Sequence, residues 1–150
     1  MKSLIASASM LSFMLGCATM TRPVPPRVQR EVAQAVAPWM QCSPDEVSVI
    51  DPRTVPTKGW YFAKGCGWMD HAIRVCNEER CGVRTLKEGR ALVGELGQCA
   101  VEQLQYKFAG PDTLYVGGCG ELWILTLGLD SWNVEERGPE QPAIFPSSAG

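Results

Sequence analysis

The chain is poor in the side chains that most often carry catalysis. Its 150 residues contain one histidine, His71, which follows Asp70 in a predicted strand and is expected to lie at the surface or at the rim of a site. No pair of carboxylates lies in a pattern suited to acid–base chemistry, and neither Gly-Cys-Gly triplet opens a helix as a phosphate-binding loop would. We therefore expect a protein that is not an enzyme and that uses no cofactor.

The chain also lacks an excess of positive charge and a long apolar run. It has 14 basic and 16 acidic residues, and this balance excludes the basic face that a nucleic-acid partner would require. The apolar runs Leu4 to Leu15 and Leu122 to Leu129 are both too short to cross a bilayer. Any attachment to a membrane is therefore expected to use a lipid.

The first residues have the pattern of an export signal. Lys2 precedes the apolar run, and Met14-Leu15-Gly16 leads directly into Cys17. This resembles bacterial lipoprotein precursors, and the resemblance implies that residues 1–16 are removed and that Cys17 is diacylated. Ala18 in the next position implies the outer membrane. The alternatives are an ordinary signal peptide cut nearby, which leaves Cys17 as a thiol, and a helix that is not exported.

The rest of the chain divides by composition. Residues 17–27 are rich in proline and are typical of an extended tether between a lipid and a domain. Residues 28–136 are predicted to form one domain, and residues 137–150 to form a disordered tail. Six cysteines remain after Cys17, and an even number in an exported protein predicts disulfides, although spacing alone allows 15 pairings.

An internal repeat relates the two halves of the domain, residues 28–84 and 85–136. Gln41-Cys42 matches Gln98-Cys99, and the triplet around Cys66 matches the triplet around Cys119. The offset is 57 residues at the first landmark and 53 at the second, so the second half has a four-residue deletion between them. We predict one pseudo-symmetric domain.

The repeat selects a disulfide pairing. The first cysteine pair, Cys42 and Cys66, recurs as Cys99 and Cys119. Cys76 and Cys81 are absent together from the second half, where Leu129 and Val134 stand at the same spacing of five. We therefore predict the bonds Cys42–Cys66, Cys99–Cys119 and Cys76–Cys81.

Hydrophobic periodicity predicts an α+β fold of two tandem α-β-β-β repeats, with the helices packed on antiparallel sheet and stapled by disulfides. Apolar residues recur at helical spacing from Val28 to Trp39, and Pro38 is expected to end or distort that helix. The second helix begins with a capping box, Thr85 and Glu88, and is expected to stop at Gly97. Each Gly-Cys-Gly triplet predicts a bulge or sharp bend.

This helix–Cys–strand–Gly-Cys-Gly–strand–Cys layout resembles a class of small secreted or lipid-anchored bacterial proteins of unknown function. The resemblance implies no activity, and the leading hypothesis is a non-enzymatic binding or structural module of the cell envelope. Tyr61 and Trp68 are candidate contacts for an envelope protein or a glycan, because one face of an aromatic strand should point outward.

Two other functions fit parts of the sequence. A metal- or redox-handling protein would use Cys76, Cys81 and His71, with Cys66 as a fourth zinc ligand. Closely spaced Cys-x-x-Cys pairs are absent, and an oxidising compartment favours disulfides over a metal site. A secreted inhibitor would present the loop Asp51 to Gly59.

Overall fold

The structure is a computed structural model, and it describes residues 22–52 and 59–145. It is an α+β fold with two helices and two four-stranded antiparallel sheets, each with its strands in sequence order. The elements of the first half are α1 Pro26–Met40, β1 Ser48–Ile50, β2 Trp60–Gly65, β3 Trp68–Cys76 and β4 Cys81–Thr85. Those of the second half are α2 Leu86–Gly97, β5 Gln105–Phe108, β6 Thr113–Gly118, β7 Glu121–Leu127 and β8 Trp132–Pro139. Short 3-10 turns at Pro44–Glu46 and Val101–Gln103 follow the helices.

Each half therefore has four strands where the sequence predicted three. The fourth strands, β4 and β8, follow tight hairpins and pair with β3 and β7 over their whole length.

The helix ends follow from local capping chemistry. The Thr85 hydroxyl accepts a bond from the Glu88 amide at 3.1 Å, and the Glu88 carboxylate accepts one from the Thr85 amide at 2.8 Å, which confirms the capping box. At the other ends, Gln41 and Gln98 adopt left-handed backbone with φ of 52° and 51°. Pro38 does not end α1, which continues to Met40, because a proline in the last turn removes few helical hydrogen bonds.

The Gly-Cys-Gly triplets form hairpin turns and not bulges. Cys66 and Gly67 join β2 to β3 with φ of 48° and 81°, and Cys119 and Gly120 join β6 to β7 with φ of 53° and 82°. Two successive residues with positive φ are the signature of the type I′ turn, whose twist matches that of a hairpin.

Three disulfides are present, Cys42–Cys66, Cys76–Cys81 and Cys99–Cys119, and they are the three pairs that the repeat predicted. Cys76 and Cys81 lie directly opposite each other at the end of the β3–β4 hairpin. The proposed match of this pair to Leu129 and Val134 was wrong. Leu129 lies in the β7–β8 turn and Val134 lies opposite Leu125, because β7 is shorter than β3 and a bulge shifts its register.

The corresponding pair in the second half is Leu127 and Trp132, which face each other at the end of the β7–β8 hairpin.

Two hydrophobic clusters hold the domain together. The first lies between α1 and one face of the first sheet, and its centre includes Val32, Val36 and Ala63. The second cluster joins the halves, because Trp60 and Ile73 of the first sheet are buried with α2 and the second sheet. The buried residues of this second cluster are Trp60, Ile73, Leu86, Val93, Cys99, Leu104, Leu114, Val116, Trp123, Leu125 and Trp132. The two halves therefore share this second cluster as a common core.

The ends of the domain differ from the predicted boundaries. The tail was expected from residue 137, but β8 runs to Pro139 and Phe145 is buried against Gly117. At the other end, Arg22 forms an antiparallel bridge with Asp51, and Val24 packs against the first cluster. The predicted signal peptide at 1–16, the lipidation residue Cys17 and the last five residues, 146–150, lie outside the described ranges.

Neither helix among the described residues combines the length and the apolar character needed to cross a membrane.

Candidate functional site

A groove of about 360 Å³ opens where the two halves meet, and we call it the aromatic groove. The last turn of α1, the start of β3, the first turns of α2 and the beginning of β5 form its walls. Its lining residues are Val36, Trp39, Met40, Trp68, Met69, Asp70, His71, Leu86, Lys87, Arg90, Val101, Glu102 and Tyr106.

Large apolar side chains are unusually exposed in this groove. Trp39 is 43% exposed, Trp68 61%, Met69 65% and Tyr106 39%. Four of the seven large exposed apolar residues of the described chain therefore lie in one place. Such residues scattered singly are ordinary, but a cluster rimmed by polar groups marks an interaction surface.

The fold brings the two exposed tryptophans into the groove from different elements. Trp39 lies in the last turn of α1, and Trp68 is the first residue of β3 after the Cys66–Gly67 turn. The Cys42–Cys66 disulfide links the end of α1 to that turn. The covalent bond therefore limits how far the two walls of the groove can separate.

Two cations of α2 lie among the aromatic rings. The Lys87 Nζ is 5.4 Å from the centre of the Trp39 ring and 5.6 Å from that of Trp68, and it donates to the Trp39 carbonyl at 3.3 Å. The Arg90 guanidinium carbon is 5.9 Å from the Tyr106 ring centre. Within residues 22–52 and 59–145, neither cation forms a salt bridge.

Hydrogen bonds hold Arg90 in place. It donates to the carbonyl oxygen of Val101 at 2.6 Å and to that of Leu104 at 3.2 Å. These two bonds tie α2 to the segment that leads into β5, and they keep the guanidinium beside the groove.

Asp70 and His71 form the floor of the groove. One Asp70 carboxylate oxygen accepts a bond from the His71 backbone amide at 2.8 Å, and the other oxygen is buried with no hydrogen-bond partner in the described chain. Burial raises the pKa of Asp70 to about 6. The two residues do not make a catalytic pair through this bond, because it involves the backbone of His71 and not its ring.

The His71 ring is half-buried and lines the aromatic groove. Its centre lies 4.2 Å from that of Phe62, 5.8 Å from Phe108 and 6.4 Å from Tyr106. Burial lowers the pKa of the His71 imidazole, because the charged form loses hydration among these rings.

The predicted contact residues are separated by the structure. Trp68 lies in the aromatic groove, whereas Tyr61 is partly buried on the α1 side of the first sheet. Tyr61 directly follows Trp60 in β2, and successive residues of a strand point to opposite faces. Trp60 is buried in the second cluster, so Tyr61 lies on the opposite face of the sheet.

The residues of the metal and redox hypothesis are not assembled into a site. Cys66, Cys76 and Cys81 are in disulfides, and the His71 ring packs against aromatic rings. In the described ranges Cys42, Glu46 and Cys66 lie close together, but both sulfurs belong to one disulfide and are not free thiolates. Residues 53–58 of the predicted inhibitor loop lie outside the described ranges.

The sequence did not identify most of the groove. Trp39 is the last residue of the apolar stripe predicted for α1, and no ligand contact was predicted for Lys87. One signal was available, because Trp68 and Met69 are consecutive in a strand and so cannot both face the same core.

Comparison with protein-family models, curated proteins and solved structures finds no match for this chain.

Proposed function

We propose that this chain is a lipid-anchored protein of the cell envelope, held in the outer membrane through Cys17, and that its domain is a non-enzymatic binding module. The binding site is the aromatic groove. The single observation that carries the proposal is the clustering of Trp39, Trp68, Met69 and Tyr106 as exposed side chains around one cavity. The anchor rests on the resemblance of residues 1–17 to lipoprotein precursors.

The composition of the groove is that of a recognition surface. Tryptophan, tyrosine, methionine and arginine are enriched in protein interfaces, and aromatic and arginine side chains supply most of their binding energy. The groove volume of about 360 Å³ also falls within the range of ligand sites. No catalytic role is proposed, because the titratable groups of the floor are engaged with the backbone or with aromatic rings.

We also infer that the domain consists of two tandem α-β-β-β repeats, each extended by a fourth strand. The matching left-handed residues, Gln41 with Gln98 and Cys66 with Cys119, support this inference. By the two offsets, Trp39 corresponds to Leu96 and Trp68 to Glu121. The second copy thus lacks the tryptophan pair, which indicates that the groove is a special feature of the first copy.

Photo-crosslinking in intact cells tests the binding site. A photoreactive amino acid at position 68 should give a reproducible adduct, whereas the same amino acid at position 121 should give none. Position 121 is the matched control because it follows the equivalent turn of the second half. If positions 39, 68 and 106 all give no adduct in the envelope, the groove is not a binding site in the cell.

A further inference from the structure

We infer that the occupant of the aromatic groove is an acidic segment of a partner protein, which places an apolar side chain against the exposed aromatic rings and a carboxylate at Lys87 and Arg90. This inference rests on the proposed function and names the chemistry of the ligand.

The charges of the groove support an anionic ligand. Lys87 and Arg90 are three residues apart on α2, so their side chains project from the same face of the helix. In the described part of the chain five other arginines form salt bridges, whereas these two groove cations form none. A carboxylate brought by a partner would supply the missing countercharge.

The acidic groups of the groove neutralise these cations only in part. Asp70 interacts electrostatically with Lys87, but it is mostly buried, the His71 amide binds one of its oxygens, and burial raises its pKa. Glu102 is exposed on the rim and makes no salt bridge with another described residue. Lys87 is exposed and Arg90 is half-buried, so an anion that enters from solvent reaches Lys87 first.

The position of the groove argues against a lipid headgroup as the ligand. The chain enters the domain at Arg22, which pairs with Asp51 at one end of the first sheet. Trp68 lies at the opposite end, beside Gly65, as the register of β2 with β1 and β3 requires. The 15 residues of α1 also separate its start at Pro26 from Trp39 by about 20 Å. An N-terminal anchor thus leaves the groove free to face away from its own membrane.

The polar groups of the groove argue against a glycan. Its lining contains no serine, threonine, asparagine or glutamine, and the Tyr106 hydroxyl is its only neutral side-chain hydroxyl. A sugar with many hydroxyl groups would leave several of them unpaired against Met69 and Val101, which costs free energy. An apolar side chain flanked by a carboxylate matches the apolar rings and the two cations of the same lining.

Titration of the full-length protein with two blocked peptides tests the inference. The probes are Ac-Gly-Phe-Glu-Glu-Gly-NH2 and its counterpart with both glutamates replaced by glutamine, and calorimetry measures each affinity. We expect the acidic peptide to bind about tenfold more tightly, the factor that two partly exposed charge contacts provide. Lys87→Gln should reduce that preference, whereas Lys107→Gln, a control on the exposed strand β5, should not.

Three results would overturn the inference. The first is equal affinity for the two peptides, and the second is the absence of binding by either. The third is that the protein binds anionic phosphatidylglycerol vesicles or peptidoglycan fragments in place of the peptide. That binding would have to be saturable and be abolished by Trp68→Ala. In each case an adduct at position 68 in cells would still support the groove as a binding site, so the two proposals fail separately.

Discussion

At the scale of single residues, the two Cys-Gly turns set the geometry of both sheets. Gly67 and Gly120 have φ of 81° and 82°, and a Cβ added to either would meet no atom within 4 Å. Alanine there would therefore be penalised by backbone conformation and not by a clash. The left-handed region costs a residue with a Cβ roughly 1–2 kcal/mol.

Gly67→Ala should accordingly lower the free energy of unfolding by about 1–2 kcal/mol, measured by urea denaturation. Gly138→Ala is the matched control, because an added Cβ there also meets nothing and the residue lies in β8 outside the left-handed region. Equal stability of the two variants would show that the turn tolerates a side chain at Gly67.

Asp70 gives a second prediction at this scale, in its dependence on pH. Burial raises the pKa of Asp70 from 3.8 to about 6, so the folded protein holds this proton more tightly than the unfolded chain. The stability contributed by the protonated carboxyl is therefore present below about pH 4 and is lost as pH rises towards 6. The unfolding free energy of Asp70→Asn, relative to that of the parent, should therefore rise by at most about 3 kcal/mol between pH 4 and pH 7.

The measurement is the difference in unfolding free energy between Asp70→Asn and the parent at each pH. The lowered pKa of His71 gives the opposite slope, since stability is lost when pH falls and the imidazole must be charged. That contribution is common to both proteins and cancels in the difference. Asp45→Asn, at an exposed position, is the control. A difference that does not change with pH would contradict the raised pKa of Asp70.

At the scale of elements, the disulfides differ in what they connect. Cys42–Cys66 and Cys99–Cys119 each join the end of a helix to a hairpin turn, over 24 and 20 residues of sequence. Cys76–Cys81 joins neighbouring strands over only 5 residues, within a hairpin that backbone pairing already holds. The long-range bonds should therefore contribute more stability, because they close larger loops.

Replacing Cys42 and Cys66 by alanine should cost about 3–4 kcal/mol, whereas replacing Cys76 and Cys81 should cost about 2 kcal/mol in the chain-entropy model. Urea denaturation of the two double variants measures the difference. Peptide mapping without reduction checks the bonds themselves, and any link between the halves would contradict the pairing. A greater loss from the Cys76 and Cys81 variant would show that this pair does more than staple a hairpin.

Many of the helix ends, turns and disulfides could be predicted from the sequence, because the signals for them lie in a few neighbouring residues or in the repeat. The capping box of α2 and the Cys-Gly turns depend on a few adjacent residues, and the repeat supplied the long-range information for the disulfides. The match of Leu129 to Cys76 failed because a bulge and a shorter strand shift the register, and an offset between landmarks does not contain that information. The groove could not be predicted because it forms only when the halves pack together.

At the scale of the whole molecule, Trp60 joins the two halves. It is 2% exposed, its indole N–H donates to the Pro111 carbonyl at 3.1 Å, and its ring centre lies 4.7 Å from that of Phe108. Trp60 belongs to the first sheet, but these partners belong to the second half. We therefore expect the two halves to unfold together.

Trp60→Ala should cost about 3–5 kcal/mol and should destabilise both halves in one transition, followed by far-ultraviolet circular dichroism and tryptophan fluorescence. Trp39→Ala, at an exposed position, is the control and should cost far less. Two separate transitions would contradict a shared core.

The proposed anchor gives the last prediction. Cys17→Ser should release the protein from the membrane fraction or leave it as an unprocessed precursor, because a thioether to lipid requires that sulfur. Fractionation and mass spectrometry of the mature chain are the measurements. An unchanged mass with unchanged membrane association would exclude lipidation at Cys17.

The Cys42–Cys66 bond has a consequence for the energetics of recognition. It fixes the separation of the walls that carry Trp39 and Trp68, so the oxidised protein has already lost conformational freedom that a ligand would otherwise have to remove. Ligand affinity should then fall when this disulfide is reduced. Because coupling between two equilibria is reciprocal, an occupied groove must make the bond harder to reduce by the same factor. A ligand in the groove would thus protect the Cys42–Cys66 disulfide from reduction.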